Sequence, residues 1–211
     1  MIVPAKKRTD LIGILFLVNI LALVAFSQSA QAVIIKSITV APAIGSRYQG
    51  GIVFYIFKDG DIGYVPGATH GLIAATADQS AGIIWAVTAY QETKVPSGTS
   101  YDIGTGLANT TAIVTQNGAG STYAAGLCYD YTNSDTGTGV YSDWYLPSKD
   151  ELKELCINRV AVGGFADAPY WSSSDYHHPF ENLAWSMVFS NHQSTLDNKV
   201  HTLRVRAVRS F

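Results

Sequence analysis

The chain has 211 residues, of which only 14% are charged and 47% are apolar. That length favours one domain with a leader over several domains, and that apolar share excludes a disordered chain. The formal charge is −2; taking the three basic residues and one acidic residue of 1–32 from totals of 14 and 16 leaves 11 and 15, a net of −4, which excludes a general nucleic-acid binder with its basic face.

Residues 1–32 read as a signal peptide. Lys6, Lys7 and Arg8 form a basic start, residues 11–26 are an almost unbroken apolar run, and Ala30-Gln31-Ala32 is a small-x-small cleavage pattern. The run is shorter than the roughly 20 residues of a spanning helix, and Asn19 interrupts it. The mature chain is expected to start at Val33, exported to the periplasm, cell surface or medium, with no membrane segment left after cleavage.

Residues 33–49 form a lead-in, with a strand at 33–40 and a Pro/Gly turn. Residues 50–57 are apolar throughout and rich in β-branched and aromatic side chains, which predicts a buried strand. Residues 58–61 are turn chemistry, and 71–75 and 82–86 are two further short strands. Loops rich in Asn, Thr and Ser follow as far as Ser100. A helix is expected over 104–116, capped by Thr105, with Leu107, Ile113 and Val114 facing inward. A second spans 121–130, with Tyr123, Ala124 and Leu127 on its apolar side. Residues 133–139 read as a polar loop leading to Trp144.

Next comes the best-specified run, Asp143-Trp144-Tyr145-Leu146-Pro147, an aromatic strand end that turns into a helix. Ser148 is a good N-cap and Glu151 stands three residues on, so the pair predicts a capping box. Asp150 and Glu151 favour the positive end of the helix dipole. Leu152, Leu155 and Cys156 share one face, and Gly163-Gly164 ends the helix. Strands are expected at 170–174, 184–190 and 203–209. In the last, Leu203, Val205 and Ala207 alternate with Arg204 and Arg206, a half-buried strand with one wet face. On that reading Arg204, Arg206 and Arg209 are a solvated, salt-bridged face.

The ordered blocks Tyr48-Gln49-Gly50-Gly51-Ile52-Val53-Phe54-Tyr55, His70-Gly71-Leu72-Ile73-Ala74, Asp78-Gln79-Ser80, the run from Asp143 to Leu152, Tyr170-Trp171-Ser172-Ser173-Ser174 and Val205-Arg206-Ala207-Val208-Arg209 resemble the DUF1566 domain, also called the Lcl C-terminal domain. The resemblance spans nearly all of residues 50–211. It implies an α+β, C-type-lectin-like domain: a small, twisted, mostly antiparallel sheet with two or three helices and long loops. In the family's collagen-like surface adhesin this domain is linked to glycosaminoglycan-type polysaccharides and to trimer formation. This chain has no collagen repeats, and its acidic balance disfavours polyanions. The fold also resembles formylglycine-generating enzymes, but their late pair of reactive cysteines has no counterpart here. The Glu-Pro-Asn and Trp-Asn-Asp triplets of calcium-dependent lectins are absent as well.

Cys128 and Cys156 are the only cysteines. Export to an oxidising compartment favours a disulfide between them; two buried free thiols are the alternative. His177-His178 is the most tempting catalytic or metal cluster, but adjacent residues of an extended segment point to opposite sides. No hydrolase or zinc motif accompanies them, so no catalytic residue, metal or cofactor is assigned. The sequon at Asn109 falls within a predicted helix and is discounted. Most tryptophans are expected in the core. Trp171 and Trp185 flank the long loop 175–183 and are the candidates for stacking on a sugar ring. The expected contact segment is therefore 172–192, with Ser173, Asp175, His177, His178, Glu181, Asn182 and His192 as its polar groups. A polyanion there would need positive charge that only protonated histidines supply. The expected function is an exported, non-catalytic binding module for a polysaccharide or surface protein. An enzyme on the formylglycine-generating-enzyme scaffold and a structural envelope subunit are its rivals.

Overall fold

The computed structural model describes residues 41–135, 139–176 and 180–211. The signal sequence, the strand expected at 33–40, and His177 and His178 lie outside the described residues. Elements follow in the order β1 (Arg47–Tyr48), β2 (Gly51–Ile56), β3 (Gly71–Ala74), β4 (Ser80–Ile83), α1 (Gly106–Asn117), α2 (Ala124–Tyr129), β5 (Asn133–Asp135), β6 (Gly139–Tyr141), α3 (Lys149–Ile157), α4 (Arg159–Val162), β7 (Pro169–Asp175), β8 (Leu183–Val188), β9 (Gln193–Asn198), β10 (Leu203–Val205) and β11 (Val208–Ser210). The class is α+β with mostly antiparallel sheets, as expected.

The strands form two sheets and a hairpin where the sequence led us to expect one small sheet. One sheet has the order β1-β2-β3-β11, the other β4-β10-β7-β8-β9, and β5 pairs with β6. Among the described residues only the β10–β7 pairing is parallel. The first sheet is apolar on both faces because two cores flank it. Val53 and Ile73 face a cluster with Trp85, Ile113, Trp144, Trp171 and Val205. Ile52, Phe54, Tyr55 and Leu72 face a second cluster with Leu152, Leu155, Tyr170 and Phe189. Phe54 and Tyr55 are neighbours in sequence yet share a core. A register shift between Val53 and Tyr55 explains this, since a bulge resets the two-residue alternation.

β1 and β2 are joined by Gln49-Gly50, both at positive φ, 44° and 88°, the two-residue turn whose twist suits a hairpin. Glycine adopts this conformation freely; Gln49 does not. Arg209 compensates, its Nη1 donating to the Gln49 Oε1 at 2.9 Å.

Several expectations are corrected. The strand expected at 82–86 is Ser80–Ile83, because Trp85 and Ala86 leave the ladder for the core. The polar loop at 133–139 contributes β5 and β6, and β9 was not expected at all. β5 and β9 are polar strands, β6 is only Gly139-Val140-Tyr141, and none of the three carries an apolar alternation. The helix from Ser148 breaks at Asn158 into α3 and α4 before Gly163 ends it. The Thr105 hydroxyl does not cap α1; it donates to the Asp102 carbonyl. Leu107 is 46% exposed, whereas Ile113 is fully buried.

The largest correction is the last strand. Residues 203–209 do not make one strand with a wet face: β10 lies inside the second sheet, β11 edges the first, and Arg206-Ala207 carry the chain between them. Arg206 is 1% exposed and Arg209 6%. The Arg206 guanidinium donates to Asp78 Oδ1 at 2.8 Å and to the Ala75 carbonyl at 2.9 Å, and it lies 4.0 Å from the Phe165 ring centroid. Asp78 also accepts from Arg204 and the Tyr170 hydroxyl, each at 2.9 Å. Arg209 forks onto Asp143 at 2.6 and 2.8 Å. These arginines are salt-bridged as expected, but Arg206 and Arg209 are not solvated.

The expected disulfide is also corrected. Cys128 and Cys156 are free, buried thiols. Cys128 packs in the core beside α1 and Cys156 in the core beneath α3, so the two helices carry them into different clusters. Burial pushes both thiols up from their ordinary value.

Two outcomes follow from these anchors. Arg206→Ala leaves the half-buried Asp78 with fewer partners and the Ala75 carbonyl without its donor, and should cost about 2–4 kcal/mol in urea denaturation; a cost under 1 kcal/mol would make the sheet crossing independent of it. Both thiols should stay unreactive toward a thiol reagent until the chain is denatured, and reductant should leave the melting temperature unchanged. Recovery of a linked 128–156 peptide would contradict this.

Candidate functional site

The run that opens α3 folds as its local chemistry demands. Ser148 is the N-cap, its Oγ accepting from the Glu151 N–H at 3.2 Å while its own N–H donates to Glu151 Oε2 at 2.8 Å. The capping box is therefore complete. Glu151 also reaches a second helix. Its Oε1 accepts from the Gly104 N–H at 2.9 Å and the Gly106 N–H at 3.4 Å, at the entrance of α1. A Cβ on Gly106 would lie 2.2 Å from Glu151 Oε2, so only glycine admits the carboxylate there. Glu151 is fully buried. Burial pushes its carboxyl up to about 7, and the three N–H donors only partly offset that.

Between these helix entrances runs the loop 97–104, stitched down along its length. The Ser148 hydroxyl donates to the Asp102 carbonyl at 2.9 Å, and the Asp150 N–H to the Tyr101 carbonyl at 3.0 Å. Asn109 of α1 holds the Ser100 backbone from both sides, accepting its N–H at 2.8 Å and donating to its carbonyl at 2.7 Å. Ser174 of β7 donates to that same carbonyl at 2.8 Å and accepts the Lys149 N–H at 2.9 Å. Asn109 is thus consumed by the fold and 3% exposed, which disposes of the sequon.

The loop presents Tyr101 outward beside Trp185, ring centroids 5.9 Å apart and edge-to-face. Tyr176 flanks Trp185 from another side at 6.1 Å. The Lys149 ammonium rests 4.4 Å from the Trp185 ring and 5.3 Å from the Tyr101 ring, a cation–π arrangement. The Trp185 Nε1 finds no hydrogen-bond partner among the described residues. Two concavities border the loop. One, of about 420 Å³, is lined by Gly60, Asp61, Ile62, Asp102, Ile103 and Asp150. The other, of about 410 Å³, runs between residues 97–100 and the Thr105, Ala108, Asn109 and Ala112 side of α1.

The residues expected to form a contact segment separate into two groups. Trp171 is fully buried, its Nε1 donating to the Ile83 carbonyl at 2.8 Å, so it offers no platform. Ser173 and Asp175 are buried too. Ser173 accepts from Asn109 Nδ2 at 3.3 Å. Asp175 accepts the Val95 N–H at 2.8 Å and pairs with Lys199 at 2.7 Å, both side chains fully buried. Burial pulls the Lys199 ammonium below its ordinary value, and Asp175 opposes that. Glu181 is exposed and Asn182 half-buried, and their carbonyls accept from Lys199 Nζ and N. His192 sits in the β8–β9 turn at φ 61° with its Nε2 against Arg159. Trp185 alone remains as a half-buried aromatic surface.

Tyr101, Tyr176 and Lys149 complete that surface and were not foreseen. Tyr101 lies in a loop without periodicity, and Lys149 was legible only as the first residue after a cap. Lys149 also supplies a cation that the histidines were expected to provide; among the described residues it makes no ion pair. Among those residues no group of three or more His, Cys, Asp or Glu side chains is placed to hold a metal.

The family model described as the Lcl C-terminal domain matches residues 74–209. The match begins at the last residue of β3, so β1, β2 and most of β3 complete the first sheet from outside it. No curated protein matches the chain.

Glu151 generates a paired expectation. Ser148→Ala should cost about 1 kcal/mol; at pH 8, where Glu151 is ionised, Glu151→Gln should cost more, since it turns a donor toward backbone N–H groups, and the two should couple by at least about 0.5 kcal/mol in a double-mutant cycle. The folded chain holds the Glu151 proton more tightly than the unfolded chain between its ordinary 4.5 and about 7. Stability from this group is therefore greatest below that window and falls as pH rises through it, by on the order of 3 kcal/mol. Urea denaturation at pH 5 and pH 8 reads the difference, and a Glu151→Gln variant with an unchanged pH slope would assign it elsewhere.

Proposed function

The chain belongs to the Lcl C-terminal domain family, and from that premise we propose that it is an exported, non-catalytic binding module of C-type-lectin-like fold. Its partner is a glycan or a surface protein, met at the corner formed by Tyr101, Lys149, Tyr176 and Trp185. The observation that carries this reading is the division of labour in the late β half. The hydroxyls and carboxylates that an enzyme would need there, on Ser172, Ser173, Ser174 and Asp175, are buried and hydrogen-bonded to the fold. What is left half-buried instead is an aromatic surface with a cation laid across it.

Such a surface suits a pyranose ring. The apolar face of a sugar packs on an indole or phenol ring, and neighbouring polar groups fix its orientation by hydrogen bonds. A groove between residues 97–100 and α1 lies on the same loop, with the exposed Ser97 on its rim.

The test is a glycan-array screen of the protein at matched salt concentrations, repeated with Trp185→Ala and Tyr101→Ala after thermal melting has confirmed their folding. Either truncation should weaken binding to the glycans found by at least about tenfold. Affinity that survives both truncations would remove this corner as the contact surface.

A further inference from the structure

The loop that carries Tyr101 is fastened at one end by a carboxylate that has no counter-charge. Glu151 accepts three backbone N–H groups, from Gly104, Gly106 and Ser148, and makes no ion pair among the described residues. The charged and titratable groups on the elements around it do not neutralise it. Lys149 of α3 lays its ammonium over the Tyr101 and Trp185 rings. Asp150 of α3 and Asp102 of the loop are negative and line the adjoining cleft together with Asp61. Tyr145, packed against Gly106, is fully buried and holds its proton well above the ordinary range, because of burial first and the Glu151 charge second. An ionised Glu151 therefore lies buried with dipoles for company and no cation.

Resting on the contact surface proposed above, we infer that Glu151 is a positioning residue that makes the Tyr101 loop sensitive to pH: the clasp is closed in mild acid and loosens as pH rises toward and past neutrality. The physical cause is competition for the carboxylate. In the closed loop it is dry and prefers the proton; in an opened loop water solvates the anion. Opening is thus linked to proton release, and the balance between closed and open moves about tenfold per pH unit. With the carboxyl at about 7 when closed and 4.5 when hydrated, the whole window is worth about 300-fold. The geometry carries the motion to the surface. The Gly104 N–H and the Tyr101 and Asp102 carbonyls are anchored to Glu151, Asp150 and Ser148 within one four-residue span of α3's first turn. Loss of that anchorage frees Tyr101 from its place over Trp185.

Amide hydrogen exchange on the whole protein, resolved by NMR and corrected for the intrinsic pH dependence, tests this without any ligand. The Gly104, Gly106 and Ser148 amides should exchange faster than the buried core amides of Val53 and Ala75. Their protection should fall about tenfold per unit between pH 5 and pH 7. Glu151→Gln should abolish that slope. If that variant does not fold, Ser148→Ala, which keeps the carboxylate, should raise exchange at Gly104 and Gly106 while preserving the slope. A flat profile in the wild-type protein overturns the inference, as does exchange of the clasp amides only at the rate of Val53 and Ala75, which would mean they open by global unfolding alone. The slope is read without ligand, so its absence overturns the clasp whatever the array finds; glycan affinity that ignores pH while the slope is present overturns only the reading of the surface.

Discussion

A buried carboxyl group shared by two helix starts organises the part of this chain around α1 and α3. Helix entrances leave N–H groups without partners, and each must be met by a cap, water or a ligand. Here Glu151 meets the entrance of its own helix through the capping box and also meets the entrance of α1 through Gly104 and Gly106. One side chain thus sets the spacing between α1 and α3. Asn109, Ser148, Asp150 and Ser174 hold the loop beside them through the backbone of Ser100, Tyr101 and Asp102. The cost is that ionisation would put a negative charge out of water without a cation, and burial accordingly pushes the carboxyl up to about 7.

The same strategy of few but buried charges holds the sheets together. Arg206 crosses between them with its guanidinium on Asp78 and on backbone carbonyls of the segments beside it. Arg209 ties β11 to Asp143 and to the strained Gln49 turn. Lys199 and Asp175 close the end of β7 against β9. In each case one side chain serves several partners, so removing it strands the others. A chain with so few charged residues places them where backbone groups would otherwise go unpaired, and this accounts for the buried ions beneath an ordinary apolar core.

The aromatic corner inherits its rigidity from this framework. Trp185 rises from the middle of β8, Lys149 from the first position of a capped helix, and Tyr101 from a loop pinned on three elements. Such supports fix the corner while the Glu151 clasp is closed, with the Lys149 cation over both rings.

Much of the local structure was legible in the residues. Ser148 and Glu151 announce their capping box because its partners lie three residues apart, and the largely apolar runs of β2, β3 and β8 report burial directly. The family was legible too, in short blocks of fixed order. What sequence could not decide depends on contacts between distant residues. Arg204 and Arg206 alternate as a wet strand would, yet Asp78, 128 positions from Arg206, draws that guanidinium inside. Cys128 and Cys156 follow the composition of a disulfide, yet their helices face different cores. β9 and the β5–β6 hairpin lack apolar alternation, so only their pairing reveals them. Trp171 and Trp185 look alike as letters; the twist and layering of the second sheet bury one and leave the other at the surface beside Tyr101. Local chemistry determined where helices start and which strands are buried, while tertiary packing alone decided which charges are buried and which aromatic faces solvent.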